Sequence, residues 1–382
     1  MFCEAGAERR FLAVSANVGI AANVGIAAMP ERDHETSLAG CLLGMAAGDA
    51  LGLPYEGLSR RRAARLLGPP DRQRLFFGRG MVSDDTEHAC MVAQSLIEAG
   101  GDVERFVARL ARRLRWWIVA FPAGVGWATA RSCLRLWLGF PSDRSGVESA
   151  GNGPLMRAPM LGLAARDSDA LMALVRGSTR ITHTDPKAEY GAIAIALAAR
   201  ASAAAEPPDP DRWFGEVAAA VGEGAGECLD LLRAAIASVR RGDTTQDFAD
   251  ELGLSSAVSG YTYHTLPIVI HAWLSNPGDY RSAVTSVIGC GGDTDTTAAI
   301  VGGIVGSATG PEGIPAPWLE RLSEWPRTVS WMRHLANRLS AAVASGEPGI
   351  APAVHPLFVL ARNVAFLLIV LWHGLRRLAP PY

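Results

Sequence analysis

The stretch Gly289–Gly303 reads GCGGDTDTTAAIVGG, and it places two aspartates immediately before a run of small apolar residues. Asp293 and Asp295 have no lysine or arginine close by in the sequence to offset their charge. Two such charges about 4 Å apart repel each other by roughly 4 kcal/mol at an effective dielectric constant of about 20. Solvent would relieve that repulsion, but a helix that buries the residues from Ala298 to Val301 keeps solvent away. The stretch therefore predicts a buried helix whose N-terminal end requires a bound cation.

The composition of the chain favours a helical protein. It has 382 residues, of which 49% are hydrophobic, and alanine and glycine are abundant. Alanine is the strongest helix former, and the residues that favour strands are not in excess. The net charge of −2 provides no basic field, so we expect no nucleic-acid partner. The six cysteines include no C-x-x-C pair, which indicates reduced thiols in a cytoplasmic protein.

Helical periodicity dominates the central part of the chain. Apolar residues recur at three- and four-residue spacings in several segments, whereas no alternating strand pattern persists. These segments are Arg105–Ile118, Asp169–Ser178, Glu189–Ala205, Trp213–Arg240 and Pro267–Leu274. The pattern predicts a single all-α domain over residues 37–345.

Residues 1–36 differ in character from the rest of the chain. They include a tandem NVGIAA duplication at residues 17–28, which has no charge and no helical stripe. We expect a disordered extension, or an upstream start codon with the true start at Met29. The pair Arg9-Arg10 resembles a twin-arginine export signal only weakly, because polar residues interrupt the apolar stretch that follows.

The C-terminal residues 346–382 contain an apolar segment, Leu357–Trp372, that is interrupted only by Arg362 and Asn363. The unbroken part is too short to cross a bilayer, which requires about 20 residues. We predict a tail helix that docks on the domain, with membrane-surface contact as the less favoured alternative. Docking is expected to bury four apolar residues, Leu357, Leu360, Phe366 and Leu367.

A glycine repeat marks the first chemically informative segment, GMAAGDALGLPYEG, which spans Gly44–Gly57. Gly44, Gly48 and Gly52 lie on one face of a helix, where the backbone of another helix can approach closely. Such packing explains the glycines. It does not explain Asp49 inside the same face or Glu56 in the loop that follows.

A second pair of carboxylates occurs in VSDDTEHACMVAQSL, residues 82–96. Asp84 as N-cap with Glu87 three residues later would form a capping box, and acidic residues at a helix start also complement the helix dipole. Asp85, beside two hydroxyl residues, is not needed for capping.

Together the two segments with paired carboxylates are better explained by metal ions than by two independent caps. Ligands made only of oxygen suit Mg²⁺, Mn²⁺ or Ca²⁺ and do not suit zinc. Five carboxylates balance two divalent ions to within one charge, namely Glu56, Asp84, Asp85, Asp293 and Asp295.

Two further segments have the character of ligand-binding walls. GNGPLMRAP, at Gly151–Pro159, places Asn152 between glycines, so that backbone and side-chain groups can approach a polar ligand. THTDPKAEYGA, at Thr182–Ala192, places His183 in a turn before a helix. A single histidine is more often structural than functional, and both interpretations stay open for His183.

In this order the segments GDALGLPYEG, SDDTE, GNGPLMR, THTDP and GGDTDT resemble the ADP-ribosylglycohydrolase family. The family pattern is G-D-A-x-G with a nearby Glu, then T-D-D-T, G-N-G-x-x-M-R, T-H and G-G-D-T-D-T. The resemblance implies a compact all-α fold with a two-metal cleft that binds two Mg²⁺ or Mn²⁺ ions. It also implies hydrolysis of the ribose C1″ bond of an ADP-ribosylated protein or a small ADP-ribose conjugate. We expect the protein to be a monomer.

The resemblance assigns roles to residues by position. The metal ligands are expected to be Glu56, Ser83, Asp84, Asp85, Asp293, Asp295 and Thr296. The residues expected to act in catalysis are Glu56, Asp84, Asp85 and Asp295. Contacts to ADP-ribose are expected from Gly124, Gly126, Asn152, Gly153 and His183. Ser83 stands where the family usually has threonine, so we expect altered metal affinity without loss of the site.

Two alternatives compete with a metal-dependent hydrolase. The sequence D-x-D-x-T from Asp293 to Thr297 also matches the phosphatase motif of the haloacid dehalogenases, but that motif must follow a buried strand, and here glycines precede it. A non-catalytic ADP-ribose-binding or crystallin-like protein on the same scaffold is the stronger alternative. Such proteins can lose the metal ligands, whereas all the expected oxygen ligands are present here, which favours catalysis. The acceptor to which ADP-ribose is attached stays undetermined.

Overall fold

The computed structural model describes residues 33–378, which form seventeen α-helices joined by loops and short 3₁₀ turns. No strand occurs among these residues, so the prediction of an all-α fold is confirmed. The helices are α1 (His34–Gly52), α2 (Arg60–Leu67), α3 (Asp84–Ala99), α4 (Val103–Trp117), α5 (Trp127–Trp137), α6 (Ala158–Ala164), α7 (Ser168–Arg180), α8 (Pro186–Ser202), α9 (Pro210–Val221), α10 (Gly226–Arg241), α11 (Thr245–Glu251), α12 (Thr262–Ser275), α13 (Tyr280–Ile288), α14 (Thr294–Thr309), α15 (Ala316–Glu320), α16 (Val329–Ser345) and α17 (Pro356–Arg376).

An antiparallel pair, α1 and α14, forms the centre of the molecule, and nearly every residue of both helices is buried. The expected glycine face of α1 lies directly against the backbone of α14, because a Cβ atom on any of these glycines would overlap a carbonyl oxygen of the partner helix. Gly40, Gly44, Gly48 and Gly52 face in turn the carbonyls of Gly306, Gly302, Ala298 and Thr294. This register brings Asp49 of α1 beside Asp295 of α14, so close packing of glycines places the two carboxylates together.

Substitution of Gly48 by alanine should destabilise the protein. The new methyl group would collide with the Ala298 carbonyl, and overpacking of this kind costs about 1–3 kcal/mol. Gly215, inside α9, has open space around its Cα, so Gly215→Ala should stabilise the protein by about 0.5–1 kcal/mol. Urea unfolding of the two variants measures both effects, and a Gly48→Ala protein as stable as the wild type would contradict close helix contact.

Several boundaries differ from the sequence-based expectation, and the helix predicted over Pro267–Leu274 begins earlier, at Thr262, as α12. The predicted helix Trp213–Arg240 is two helices, α9 and α10, because the chain turns at Gly222, where φ is +74°. The first helix begins at His34, where the Asp33 side chain accepts a hydrogen bond from the Glu35 amide. Residues 33–36 therefore belong to the folded domain, and the rest of the predicted extension lies outside the described residues.

The C-terminal helix α17 docks on the domain through its polar side chains. Arg362, Asn363 and His373 are buried, together with Phe366. Asn363 Nδ2 donates to the Ala120 carbonyl at 2.9 Å, and His373 Nε2 lies 3.1 Å from the Pro54 carbonyl oxygen. Leu357 and Leu367 are exposed, so the prediction that docking buries them is wrong. The polar groups face inward because they find partners in the loops that surround the cleft described below.

Candidate active site

A cleft of about 600 Å³ opens at the N-terminal ends of α3, α5 and α14. Most of the residues singled out in the sequence line it, although they come from distant parts of the chain. The lining includes Glu56, Asp84, Gly124, Gly126, Asn152, Gly153, His183, Asp293, Asp295 and Thr296. Ser83 and Asp85 do not line the cleft but are buried beside it, where Asp85 Oδ2 accepts a hydrogen bond from Thr296 Oγ1 at 3.2 Å.

Three buried carboxylates, those of Asp49, Asp85 and Asp295, form the centre of this site. Each of them has an oxygen within 4.8 Å of an oxygen of the other two. The Oδ1 atoms of Asp85 and Asp295 are buried and have no hydrogen-bond donor among the described residues. Buried polar atoms are rarely left without partners, so this arrangement suits a cation that the two oxygens coordinate. All the donors are oxygens, which fits Mg²⁺ or Mn²⁺.

Asp49 is the member of this cluster that the sequence-based site did not include. Its carboxylate accepts hydrogen bonds from the Ser83 amide at 2.9 and 3.0 Å, from the Thr86 amide at 3.2 Å and from Thr86 Oγ1 at 2.5 Å. Asp49 therefore holds the first turn of α3 against α1. The available signal was a charged residue within an otherwise small-residue helix face.

The start of α3 also differs from the expected capping box. The N-cap is Ser83, whose Oγ accepts from the Asp85 amide at 3.3 Å, and the helix begins at Asp84. The Glu87 side chain makes no hydrogen bond to the backbone of the N-cap residue. It is buried and accepts hydrogen bonds from Trp117 Nε1 at 2.6 Å and Arg327 Nη1 at 2.7 Å. Capping by Ser83 and Asp49 leaves the side chains of Asp84 and Asp85 available to the site.

Two hydroxyl groups orient Asp85. Ser83 Oγ donates to Asp85 Oδ2 at 3.0 Å, and Thr296 Oγ1 donates to the same oxygen. The other oxygen, Oδ1, is thereby left for a cation. A serine hydroxyl performs this task at the position where the family usually has threonine.

The carboxylates of the site raise one another's pKa values. Burial and the charge of Asp49 raise the pKa of Asp84 and of Asp85 well above the usual range. Burial and the charge of Glu56 do the same for Asp295. Removal of water by the surrounding protein, followed by repulsion from Asp293, raises the pKa of Glu56 to about 7. These shifts are the expected consequence of burying several carboxylates close together.

The stability of the metal-free protein should therefore depend on pH. Burial raises the pKa of Asp49 to about 6, so in the folded state Asp49 and Glu56 hold protons that the unfolded chain has already released. The unfolded state then binds fewer protons, and stability should fall as pH rises from about 4 to about 7. Thermal melting in chelator measures this slope, and added Mg²⁺ should flatten it. A melting temperature independent of pH in chelator would contradict the charge cluster.

Asn152 joins one wall of the cleft to the acidic cluster. Its Nδ2 atom donates to Asp293 Oδ2 at 2.6 Å and to Thr265 Oγ1 at 2.9 Å. Asp293 occupies the N-cap position of α14, but its side chain accepts no hydrogen bond from that helix. The alternative in which Asp293 is only a helix cap is therefore wrong.

His183 lies in the wall formed by Gly151 and Gly153. Its Nδ1 atom is 2.8 Å from Thr182 Oγ1, which accepts a hydrogen bond from the buried Arg157 at 2.6 Å. Burial, followed by the charge of Arg157, lowers the pKa of His183 to about 3, so the ring is neutral at physiological pH. A Cβ atom on Gly153 would lie 3.0 Å from the ring, which shows how closely the loop and the histidine pack.

The opposite wall is the turn that leads into α5. Gly124 has a φ of +85°, a conformation that favours glycine, and a Cβ atom there would lie 3.5 Å from Asp84 Oδ1. Gly126 is the N-cap of α5 and offers no side chain to its amides. The next residue, Trp127, lines the cleft, and 82% of its surface is exposed. The sequence-based site did not include Trp127.

The profile of the ADP-ribosylglycohydrolase family matches residues 30–348. The chain belongs to the ADP-ribosylglycohydrolase family. The family and two relatives named below as hydrolases, from Rhodospirillum rubrum and Serratia proteamaculans, are glycosyl hydrolases, so the protein is an enzyme of the ADP-ribosylglycohydrolase type. The match ends before α17, which this chain therefore carries outside the part shared with the family.

Several relatives support membership in the ADP-ribosylglycohydrolase family. An uncharacterized protein of Archaeoglobus fulgidus is 30% identical over 80% of this chain and 96% of its own length. The ADP-ribosyl-[dinitrogen reductase] glycohydrolase of Rhodospirillum rubrum is 28% identical over 76% of this chain and 90% of its own length. The ADP-ribosylarginine hydrolase Tri1 of Serratia proteamaculans is 25% identical over 78% of each. A solved structure described as an ADP-ribosylglycohydrolase-related protein complex superposes with a TM-score of 0.59 at 27% identity, over 82% of this chain and all of its own.

Proposed function

We propose that the protein hydrolyses the bond between ribose C1″ and the acceptor atom of an ADP-ribosylated protein or a small ADP-ribose conjugate, and that it requires two Mg²⁺ or Mn²⁺ ions. The observation that carries this proposal is the pair of buried carboxylate oxygens of Asp85 and Asp295 that lack donors inside a substrate-sized cleft. A protein that only bound ADP-ribose would have no need for this costly group of acids.

The residues that would hold the ions are the seven assigned by resemblance, with Asp49 as the residue that positions them. They are Glu56, Ser83, Asp84, Asp85, Asp293, Asp295 and Thr296. When bound, divalent cations supply Lewis-acid polarisation of ribose hydroxyls and of an attacking water. The chain itself contributes a dense anionic field beside the sugar, which stabilises an oxocarbenium-like transition state.

Glu56 is placed to handle the proton of the attacking water. Its side chain lines the cleft together with Asp293 and Asp295, and a carboxylate in that place can accept a proton from an attacking water. Arg377 Nη2 donates to the Glu56 carbonyl at 2.9 Å, so the C-terminal end of α17 holds the loop that carries this side chain.

The remaining walls of the cleft suit the other parts of ADP-ribose. The amides at the start of α5 have no side-chain acceptor and lie at a helix N-terminus, which is a favourable place for a pyrophosphate. The exposed ring of Trp127 offers a flat surface for stacking with the adenine or with the acceptor. Asn152, Gly153 and His183 form the rigid wall on the other side of the acidic cluster.

Purified protein should release ADP-ribose from ADP-ribosylarginine, ADP-ribosylserine or O-acetyl-ADP-ribose in the presence of Mg²⁺. The names of two relatives make ADP-ribosylarginine the first acceptor to test. Chelator should abolish turnover, Mg²⁺ or Mn²⁺ should restore it, and Zn²⁺ should serve poorly because the ligands are hard oxygens. Full turnover after exhaustive chelation would contradict the metal requirement, and absence of turnover on every conjugate would favour a binding protein.

A further inference from the structure

The helix α17 carries its polar and apolar residues in the reverse of the usual order for a surface helix. Arg362, Asn363 and His373 are buried against the domain, whereas the outward side is apolar throughout. Exposed on it are Leu357, Phe358, Val364, Leu367, Leu368, Leu371, Trp372 and Leu375. We call this the outer face of α17. A soluble monomer rarely leaves a contiguous apolar surface of this extent open to water.

Aromatic residues from two other segments extend the outer face at both ends. Near the C-terminal end, the ring of Trp372 lies 5.8 Å from that of Phe76 and 6.3 Å from that of Phe77, which is 81% exposed. Near the N-terminal end, Phe358 packs against Trp325 at 4.9 Å between ring centroids. Aromatic side chains at the margin of an apolar surface are typical of the water–lipid interface.

Exposed arginines gather beside the C-terminal end of this face. Arg62 Nη2 donates to the Arg377 carbonyl at 3.3 Å, which places α2 next to the end of α17. Arg61, Arg65 and Arg376 are exposed and make no ion pair with any residue from 33 to 378. Neither residues 57–70 nor residues 348–382 contain an aspartate or glutamate. The C-terminal end of the apolar face is therefore bordered by arginines, three of which form no ion pair among the described residues.

We propose that the outer face of α17 docks on an anionic lipid bilayer, with the helix lying in the plane of the membrane surface. The leucines and aromatic rings enter the headgroup boundary, and the arginines contact lipid phosphates. Although α17 is long and apolar enough to span a bilayer, its buried Arg362 and Asn363 are bonded to the domain, which keeps it on the surface. A two-fold dimer through this face would cover the apolar residues, but residues 57–70 and 348–382 of the other copy would bring no aspartate or glutamate to the arginines.

Vesicle flotation of the full-length protein tests this proposal. The wild type should float with vesicles of equal parts phosphatidylcholine and phosphatidylglycerol, and far less with phosphatidylcholine alone. The double variant Leu368→Glu/Leu371→Glu should lose flotation, because both positions are exposed and now carry charge. A matched control, Leu134→Glu on α5 with Leu138→Glu directly after its end, changes two leucines of similar exposure that do not belong to the outer face of α17 and should float as the wild type does. Replacing Arg61 and Arg65 with alanine should weaken binding by about fivefold for each arginine.

Several results would overturn the proposal. The proposal is wrong if the wild-type protein does not float with anionic vesicles. It is also wrong if the protein binds neutral vesicles equally well. A dimer in size-exclusion chromatography with light scattering that Leu368→Glu/Leu371→Glu dissociates, without flotation of the wild type, would assign the face to a second copy. Membrane-bound protein that resists alkaline carbonate extraction would indicate a spanning helix. Thermal melting of the variants confirms that each is folded.

Discussion

Asp295→Asn should abolish most of the turnover while leaving the protein folded. Loss of a residue that only supports a metal ligand already lowers activity or affinity by about 10–100-fold, so replacing a ligand should lower turnover at least about a hundredfold. Asp295 Oδ1 is buried without a donor, and its carboxylate is one of three within 4.8 Å of one another. Asparagine retains the shape but not the charge that the cation needs. Isothermal calorimetry with Mn²⁺ should show much weaker binding.

The same substitution should raise stability or leave it unchanged in chelator. Burial and neighbouring acids raise the pKa of Asp295, so at pH 8 its ionised form is unfavourable in the folded metal-free protein, and a neutral amide removes that cost. Asp279 is a matched control, because its side chain caps α13 by accepting from the Ser282 amide at 3.0 Å. Asp279→Asn should change stability by at most about 1 kcal/mol and leave metal binding intact. If Asp295→Asn retains normal metal binding and turnover, the metal site must be abandoned.

Arg362→Met should destabilise the protein by about 3–5 kcal/mol, the usual cost of breaking a buried ion pair from one side. Arg362 donates to Glu324 through Nε at 2.8 Å and Nη2 at 2.7 Å, and Nη2 also donates to the Val82 carbonyl at 2.5 Å. Arg362 Nη1 also lies 3.8 Å from Glu87 Oε1. Burial alone would raise the pKa of Glu87, but the charges of Arg327 and Arg362 lower it below its usual value. Because Val82 precedes Ser83, the substitution should also weaken metal binding.

Two variants separate this effect from simple loss of packing. Adding Glu324→Gln to Arg362→Met removes the stranded carboxylate and should recover part of the lost stability. Arg240 forms an exposed pair with Asp211 at 2.6 Å, and Arg240→Met should leave the stability nearly unchanged. Denaturant unfolding provides both comparisons. An Arg362→Met protein as stable as the Arg240→Met protein would show that α17 is not tied to the domain through this arginine.

Local features of the sequence were sufficient for the fold class and for most of the cleft. Helix periodicity located α4, α7 and α8 because the burial of one face of a helix repeats within the helix itself. The glycine spacing in α1 predicted a close helix contact, and the structure supplies α14 as its partner. The paired carboxylates at Asp84 and Asp293 were informative because unneutralised like charges beside an apolar run have few structural explanations.

Only the tertiary structure decided which distant groups compensate one another. Glu87 has the spacing of a capping box, yet it forms a buried ion pair with Arg327, which lies far away along the chain, and makes no hydrogen bond to the start of α3. Asp49 enters the acidic cluster because α1 and α14 pack in one register. The leucines of α17 likewise point outward because Arg362 and Asn363 find hydrogen-bond partners on the domain. No local sequence pattern predicts those partners. A sequence specifies which face of a helix is apolar, but the burial of a charge depends on which other charges the fold brings within a few ångströms.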